Sequence, residues 1–255
     1  MTERIITQLR ERVLHVQFNR PDKKNALTGQ MYGALSDALE SAEQDAAVRI
    51  VSLTGSGDSF TAGNDLDDFL SGSRSEGEQP AARFLRLLSA FPKPVVAAVN
   101  GLAVGIGVTM LLHCDIVIAS DKATFRVPFV DLGLVPEAAS SLLLPRLAGH
   151  QRTASLMMCG EILDAAGAKN IGLVRSTHAP EELNAELMSV ASAMAAKPPR
   201  AMRLTKALLK GRTTTVDDRM KEEMAHFRSQ LDSAEAREAM LAFKEKRKPD
   251  FSKFA

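Results

Sequence analysis

The chain of 255 residues has no tryptophan, a single tyrosine and only two cysteines. Two cysteines cannot form the disulfide framework that small secreted domains need, whereas a hydrophobic fraction of 45% suffices for an ordinary buried core. Cys114 and Cys159 both stand in apolar stretches of the sequence. We therefore expect them to be buried free thiols of a protein in a reducing compartment.

Charge of either sign is not in excess, since the formal net charge is +1. A chain with this balance lacks the basic surface that binds nucleic acid. No apolar run approaches the roughly 18 residues of a membrane span, and the charged start MTERIITQLRERV is unlike a signal peptide. We expect a cytoplasmic enzyme or binding protein with no nucleic-acid or membrane partner.

Motifs of several common chemistries are missing as well. The five histidines never stand at metal-ligand spacing, and neither HExxH nor CxxC occurs, so no metal site is predicted. The chain also lacks a GxSxG nucleophile elbow and a Gly-Lys-Ser/Thr phosphate loop. A serine hydrolase of the elbow type and a P-loop enzyme are therefore not expected.

Short β-type runs and helical patterns alternate along most of the chain, which predicts an α/β fold. Strands are expected near residues 4–9 and 12–18, and a strand buried on both faces over 48–54. Between them, Thr28 is a plausible cap for a helix. This helix is indicated by apolar residues at helical spacing: Met31, Tyr32, Leu35, Leu39 and Ala42.

The rest of the chain contains two changes of character. Residues 71–79 are rich in serine and glycine and are predicted to form a surface loop. After Pro198 and Pro199 no β-type run occurs, and the pattern predicts amphipathic helices that cover their own core or serve a subunit interface. No internal repeat is evident.

The segment from Pro94 to Asp115 reads PVVAAVNGLAVGIGVTMLLHCD and predicts a strand, a glycine-rich turn and a helix. Such a turn directs backbone N–H groups toward one point, where a phosphate or a transient oxyanion can bind. Gly101, Gly105 and Gly107 do not have the G-x-G-x-x-G spacing of a dinucleotide site. A turn that merely permits close packing remains an alternative.

A second segment, FTAGNDLDDF at residues 60–69, places a small-residue bend before a short predicted helix. The backbone N–H of Asn64 is then expected to be free at the helix start. One donor from residues 63–65 and one from residues 105–107 would form a minimal oxyanion hole.

In combination, these motifs resemble the crotonase (enoyl-CoA hydratase/isomerase) superfamily over nearly the whole chain. The segments that carry the resemblance are PDKKNAL at 21–27, AGNDL at 62–66, residues 93–115, residues 125–133, GLV at 172–174 and FKEKR at 243–247. The resemblance implies an α/β spiral of ββα turns over residues 1–197 and a helical trimerisation region over 198–255. A homotrimer or a hexamer of two trimers is implied as well.

The resemblance also implies an acyl-CoA thioester substrate, so that coenzyme A is part of the substrate and no separate cofactor is needed. The thioester carbonyl would accept hydrogen bonds from the N–H groups of Asn64 and Ile106. Lys24 would lie near the CoA phosphates, Phe129 in the substrate pocket, and Lys246 would come from a neighbouring subunit. The adenine would lie near Ala62, Gly63, Asn64, Asp65 and Leu66.

The reaction depends on which acids surround the substrate. Hydratases of this family carry glutamates at the positions of Thr109 and Phe129, and neither residue is acidic here. Peroxisomal-type Δ3,Δ2-enoyl-CoA isomerases carry Pro-Glu followed by small residues, as Pro136 and Glu137 do. A single carboxylate suffices to move a proton from C2 to C4. We therefore predict such an isomerase, acting in fatty-acid breakdown with Glu137 as base.

Several alternatives remain open at this stage. Glu137 could instead be an acid at a helix N-terminus, and Asp131 is a rival base. Hydration with an unusual base, another reaction of the family, and non-catalytic acyl-CoA binding are the alternative functions.

Overall fold

The computed structural model describes residues 3–71, 78–211, 216–231 and 233–254, so most of the predicted loop 71–79 lies outside the described residues. The strands are β1 (Ile5–Arg10), β2 (Val13–Phe18), β3 (Ile50–Gly55), β4 (Ser59–Thr61), β5 (Val95–Val99), β6 (Leu102–Val104), β7 (Ile116–Ser120), β8 (Thr124–Arg126), β9 (Leu163–Asp164) and β10 (Ser176–His178). The α-helices are α1 (Gly29–Gln44), α2 (Leu66–Ser71), α3 (Pro80–Ala90), α4 (Ile106–Thr109), α5 (Ser140–Ala148), α6 (His150–Met158), α7 (Ala165–Asn170), α8 (Leu183–Ala195), α9 (Pro199–Lys210), α10 (Val216–Leu231) and α11 (Ala234–Lys244).

Three successive strand pairs build a spiral. The first strands of the pairs, β3, β5 and β7, lie side by side in a six-stranded sheet of order β1-β2-β3-β5-β7-β10. The second strands, β4, β6 and β8, lie side by side in a four-stranded sheet that β9 completes. Both sets are parallel, so equivalent turns of the spiral end at the same edge. The α/β spiral that the family resemblance implies is therefore present.

The central strands of the six-stranded sheet are buried on both faces. Along β5 all five residues are buried, and successive side chains join two different apolar clusters. One cluster includes α1 and α3, and the other is formed against α8. This double burial agrees with the β-branched, nearly continuous apolar pattern of residues 48–54, whose strand is Ile50–Gly55.

After Pro198 the described part of the chain contains helices and no strand, as predicted, and residues 245–254 follow the last helix without regular structure. Helix α9 is attached to the core by Lys206, whose ammonium bonds the Asp115 carboxylate at 2.7 Å and the Lys93 carbonyl at 2.6 Å. Helices α10 and α11 keep large apolar side chains exposed in the single chain, with Phe243 88% exposed. Among the described residues, none of the helices combines the length and apolar character that crossing a bilayer requires.

The expectation that both cysteines are buried is wrong for Cys159. Cys159, which directly follows α6, is exposed, whereas Cys114 is partly buried. Both thiols are free. The three strand pairs form a structural repeat, as the spiral implied by the resemblance requires, although no repeat is evident in the sequence, because the pairs share a backbone path rather than side chains.

Candidate active site

Two bends of the backbone, one after β4 and one after β6, lie side by side. β4 and β6 are parallel neighbours with Thr61 opposite Ala103, so both bends leave the sheet at the same edge. Their contact leaves no room for a side chain, because a Cβ atom on Gly63 would lie 2.9 Å from the Val104 carbonyl oxygen. Gly63 also has a φ of +92°, which L side chains rarely adopt. Glycine at this position therefore allows the two bends to meet.

Each bend carries a backbone N–H group that has no partner among the described residues, that of Asn64 in the first and that of Ile106 in the second. Four neighbouring N–H groups are bonded within the protein. They are those of Ala62 to the Lys24 carbonyl (2.9 Å), Gly63 to the Thr61 hydroxyl (3.1 Å), Asp65 to the Leu27 carbonyl (2.9 Å) and Gly105 to the Arg126 carbonyl (2.8 Å). Unpaired N–H groups on adjacent bends can bind one anionic oxygen together.

The second bend is held in place by the short helix α4. The N–H of Thr109 donates to the Gly105 carbonyl at 3.1 Å, which closes the helical turn that begins at Ile106. Gly107 packs closely on the end of β4, where a Cβ atom would lie 2.7 Å from Cγ2 of Thr61. The Ile106 N–H is therefore positioned by backbone contacts with the first bend.

Glu137 places a half-buried carboxyl group beside α4. The Thr109 hydroxyl donates a hydrogen bond to Oε1 of Glu137. Burial raises the pKa of the Glu137 carboxyl above its ordinary value, and the Thr109 hydrogen bond, which favours the ionised form, offsets only part of this effect. A carboxylate with a raised pKa is a stronger base, so Glu137 is suited to accept a proton from carbon.

The loop around Glu137 is held by contacts from other elements. Ala138 and Ala139 both have left-handed backbone, with φ values of 54° and 53°. The His113 ring bonds the Ala138 carbonyl at 2.9 Å, and the Ser140 hydroxyl donates to the Glu137 carbonyl at 2.6 Å. Helix α5 begins at Ser140, so Glu137 lies before this helix and not in its first turn.

Tyr32 belongs to the site, although its sequence pattern indicates only a core position on α1. Its buried hydroxyl donates a hydrogen bond to Oδ1 of Asn64. Burial raises the pKa of Tyr32 well above its ordinary value, and the negative charge of Glu137 raises it further. Tyr32 is therefore close to both the first bend and the carboxylate. The one signal in the sequence is its singularity, since the chain has no other tyrosine.

Other predicted site residues lie around the first bend. Lys24 is exposed, and its carbonyl accepts the Ala62 N–H. Asp65 forms an ion pair with Arg20 and accepts an N–H bond at the start of α2, contacts that lower the pKa of its carboxyl. Leu66 is 57% exposed. These residues form the outer surface of the bend.

Three further predicted residues make contacts other than with the two free N–H groups. Phe129 is 8% exposed and belongs to the hydrophobic core. Lys246 is exposed after α11, and none of its described contacts reaches the two bends. Asp131 forms an ion pair with Arg126 at 2.9 Å on the protein surface, so the rival base is already engaged with a cation.

Comparison with known proteins gives matches along almost the whole chain. A family model described as Enoyl-CoA hydratase/isomerase matches residues 8–253, which include both bends and Glu137. Enoyl-CoA delta isomerase 2 of Rattus norvegicus is 38% identical over 238 residues, and the match covers 91% of this chain but only 61% of the rat protein.

Two other matches cover nearly the whole length of both proteins. Crotonyl-CoA hydratase of Syntrophomonas wolfei is 36% identical over 254 residues, which are 98% of each chain. A solved structure from Magnetospirillum magneticum AMB-1, provisionally named enoyl-CoA hydratase/carnithine racemase, is 44% identical with a TM-score of 0.96. It is matched over 100% of its length by 99% of this chain.

Proposed function

This chain belongs to the enoyl-CoA hydratase/isomerase family, and on that premise we propose that it moves the double bond of 3-enoyl-CoA thioesters to the 2-position. The supporting observation is the placement of one carboxylate, that of Glu137, against the helical turn whose first residue supplies an unpaired N–H group. The relatives include both isomerases and hydratases at similar identity, so the choice between them depends on the residues of the site.

The proposed mechanism begins with the thioester carbonyl, which accepts hydrogen bonds from the N–H groups of Asn64 and Ile106. These bonds stabilise the negative charge that develops on this oxygen. Glu137 removes a proton from C2, and the electron pair of the C2–H bond enters a dienolate. The protonated Glu137 then returns the proton to C4, which leaves the double bond between C2 and C3. No water or external oxidant is consumed.

Hydration is disfavoured because it requires an acid and a base that act on one water molecule. Thr109 occupies the position where hydratases of the family carry a glutamate, and its hydroxyl is engaged with Glu137. Phe129, at the second such position, is part of the core. A lone carboxylate in this surrounding is sufficient for a proton shuttle.

The proposal extends to the substrate and to the assembly. The surface of the first bend, with Lys24 and Leu66, is the proposed contact for the CoA portion. Because α10 and α11 present exposed apolar side chains, we propose that copies of the chain assemble through this region as trimers or hexamers. Lys246 would then contact the CoA of a neighbouring copy. Cytoplasmic location and a role in fatty-acid breakdown remain predictions.

A spectrophotometric assay with 3-hexenoyl-CoA and 2-hexenoyl-CoA tests the activity. We expect the wild type to isomerise the first substrate and to hydrate the second slowly or not at all. Glu137→Gln should lower kcat by about 100-fold or more, since general-base catalysis contributes about 10²–10⁴-fold. Asp131→Asn is the matched control, because it neutralises a nearby surface carboxylate, and it should retain activity.

Two results would contradict the proposal. Rapid hydration of 2-hexenoyl-CoA that persists in Glu137→Gln would indicate a hydratase with another base. Binding of CoA esters without turnover would indicate an acyl-CoA binder. Binding is measurable through the fluorescence of Tyr32, because it is the only tyrosine in a chain without tryptophan.

A further inference from the structure

We propose that Thr109 is a positioning residue of this site, which holds the Glu137 carboxylate by Oε1 and leaves Oε2 to exchange the proton with the substrate. This inference rests on the proposed function, since it concerns how the proposed base is oriented. It assigns a role to Thr109, which the sequence marked only as a position where hydratases of the family carry glutamate and this chain does not.

Thr109 is held rigidly. Its side chain is fully buried, and its backbone N–H is bonded to the Gly105 carbonyl at 3.1 Å. Thr109 and Ile106 are three residues apart on one turn of α4, so they share a helix face. The threonine side chain is β-branched and therefore has few χ1 conformations. The hydroxyl that holds the base is thus tied directly to the N–H group that faces the substrate oxygen.

Glu137 stands on irregular backbone. Residues 134–137 belong to no helix or strand, and the loop is anchored through carbonyl groups, by Ser140 and His113. Among the described residues, Thr109 is the side chain that hydrogen-bonds the Glu137 carboxyl group. Without this bond the carboxylate would be free to change its side-chain rotamer, while the loop itself would stay in place.

The groups that act on the Glu137 carboxylate come from α1 and α4. Among the described residues they are the hydroxyl of Tyr32, which is engaged with Asn64, and the neutral hydroxyl of Thr109, whereas the His113 ring bonds the Ala138 carbonyl. A neutral donor orients a carboxylate without pairing it with a full positive charge, so the carboxylate stays basic. One oxygen accepts the Thr109 bond, and the other is available for the proton.

The test compares Thr109→Val, which keeps the shape and removes the hydroxyl, with Thr109→Ser, which keeps the hydroxyl. We expect Thr109→Val to lower kcat roughly 10- to 100-fold with little change in KM, because the base is misplaced. The acid limb of the kcat/KM profile should move to higher pH, since a hydrogen bond to the ionised form is lost. Thr109→Ser should restore most of the rate and the original limb.

Thr153→Val is the matched control for removing a buried threonine hydroxyl. Thr153 is buried in α6, and its hydroxyl donates to the Gly149 carbonyl at 2.9 Å, remote in sequence from both bends. Thr153→Val should leave the pH profile of kcat/KM unchanged. If Thr153→Val lost as much activity as Thr109→Val, and both variants had equally lowered melting temperatures, the role of Thr109 would be purely structural. That result would overturn the inference.

A second measurement does not depend on turnover. In protein labelled with ¹³C at glutamate carboxyl groups, the Glu137 resonance is assigned by its loss in Glu137→Gln and is titrated in wild type and Thr109→Val. A midpoint shifted to higher pH in Thr109→Val supports the inference, and identical midpoints overturn it. If Glu137→Gln proves fully active, the proposed function fails, while this titration still decides whether Thr109 holds the carboxylate.

Discussion

The hydroxyl of Tyr32 donates a hydrogen bond to the side-chain oxygen of Asn64 and so joins helix α1 to the bend that carries an unpaired N–H group. A hydrogen bond of this kind contributes about 0.5–1.5 kcal/mol. Removing it should therefore loosen the first bend without unfolding the protein.

Tyr32→Phe keeps the aromatic ring, whose centroid lies 5.9 Å from that of Phe84, and removes only the hydroxyl. We expect kcat/KM for 3-hexenoyl-CoA to fall about three- to tenfold, because the loosened bend binds the transition state less well. Steady-state kinetics and a melting curve measure the two effects separately. An unchanged kcat/KM with a lowered melting temperature would show that the hydroxyl serves stability alone.

Gly63→Ala tests the backbone hole, which side-chain substitutions cannot remove. The new Cβ would lie 2.9 Å from the Val104 carbonyl oxygen, so the two bends must separate. We expect kcat to fall about 100- to 1,000-fold, as when an oxyanion-hole donor is removed. The control is Gly33→Ala on α1, where a Cβ meets nothing within 4 Å and should stabilise the helix by about 1 kcal/mol. Retained activity in Gly63→Ala would argue against a hole at this place.

Glu137→Gln should also change how stability depends on pH. Because burial raises the pKa of Glu137, the folded protein keeps this proton at pH values where the unfolded chain has lost it. The free energy of unfolding therefore decreases as pH rises from the pKa of an unfolded glutamate through the raised folded pKa. Above that range the wild type is destabilised by the full free-energy cost of burying the ionised carboxylate, and below that range this cost is absent.

Glu137→Gln removes the cost of burying an ionised carboxylate, since glutamine does not ionise. We expect Glu137→Gln to be more stable than the wild type at neutral pH and equal to it at strongly acidic pH. Denaturant unfolding at a series of pH values measures this difference. A difference that does not vary with pH would contradict the buried-carboxylate explanation.

Lys206→Met tests the attachment of α9 to the core. Lys206 is 4% exposed, and its loss leaves the Asp115 carboxylate without its cation. Removing one partner of a buried ion pair lowers the free energy of unfolding by about 3–5 kcal/mol. Lys206→Met combined with Asp115→Asn should recover part of this loss, since the uncompensated charge is then gone.

The comparison variant for this pair is Arg86→Met, which breaks the exposed ion pair of Arg86 with Glu78 (2.8 Å) and should cost less than about 1 kcal/mol. Chemical denaturation measures all three variants. Equal losses in Lys206→Met and Arg86→Met would mean that the buried pair does not attach α9.

Local sequence patterns predicted much of the fold. The strand over residues 95–99, the bend at Gly63 and the helices without strands after Pro198 follow from apolar periodicity, glycine placement and the absence of β-type runs. The exposure of Cys159 did not follow, because it depends on how the end of α6 packs on the core. The spiral was implied by the family resemblance and not by any local pattern.

The sequence by itself determined where the chain bends and which of its N–H groups stand at the start of a helix, because these depend on the φ and ψ preferences of neighbouring residues. It also determined that glutamate is absent at Thr109. Only the tertiary structure decided that Thr109 bonds Glu137, 28 residues away, and that Tyr32 bonds Asn64, 32 residues away. Burial and hydrogen-bond pairing are set by residues distant along the chain, and these two properties determine how basic the carboxylate is and where it lies.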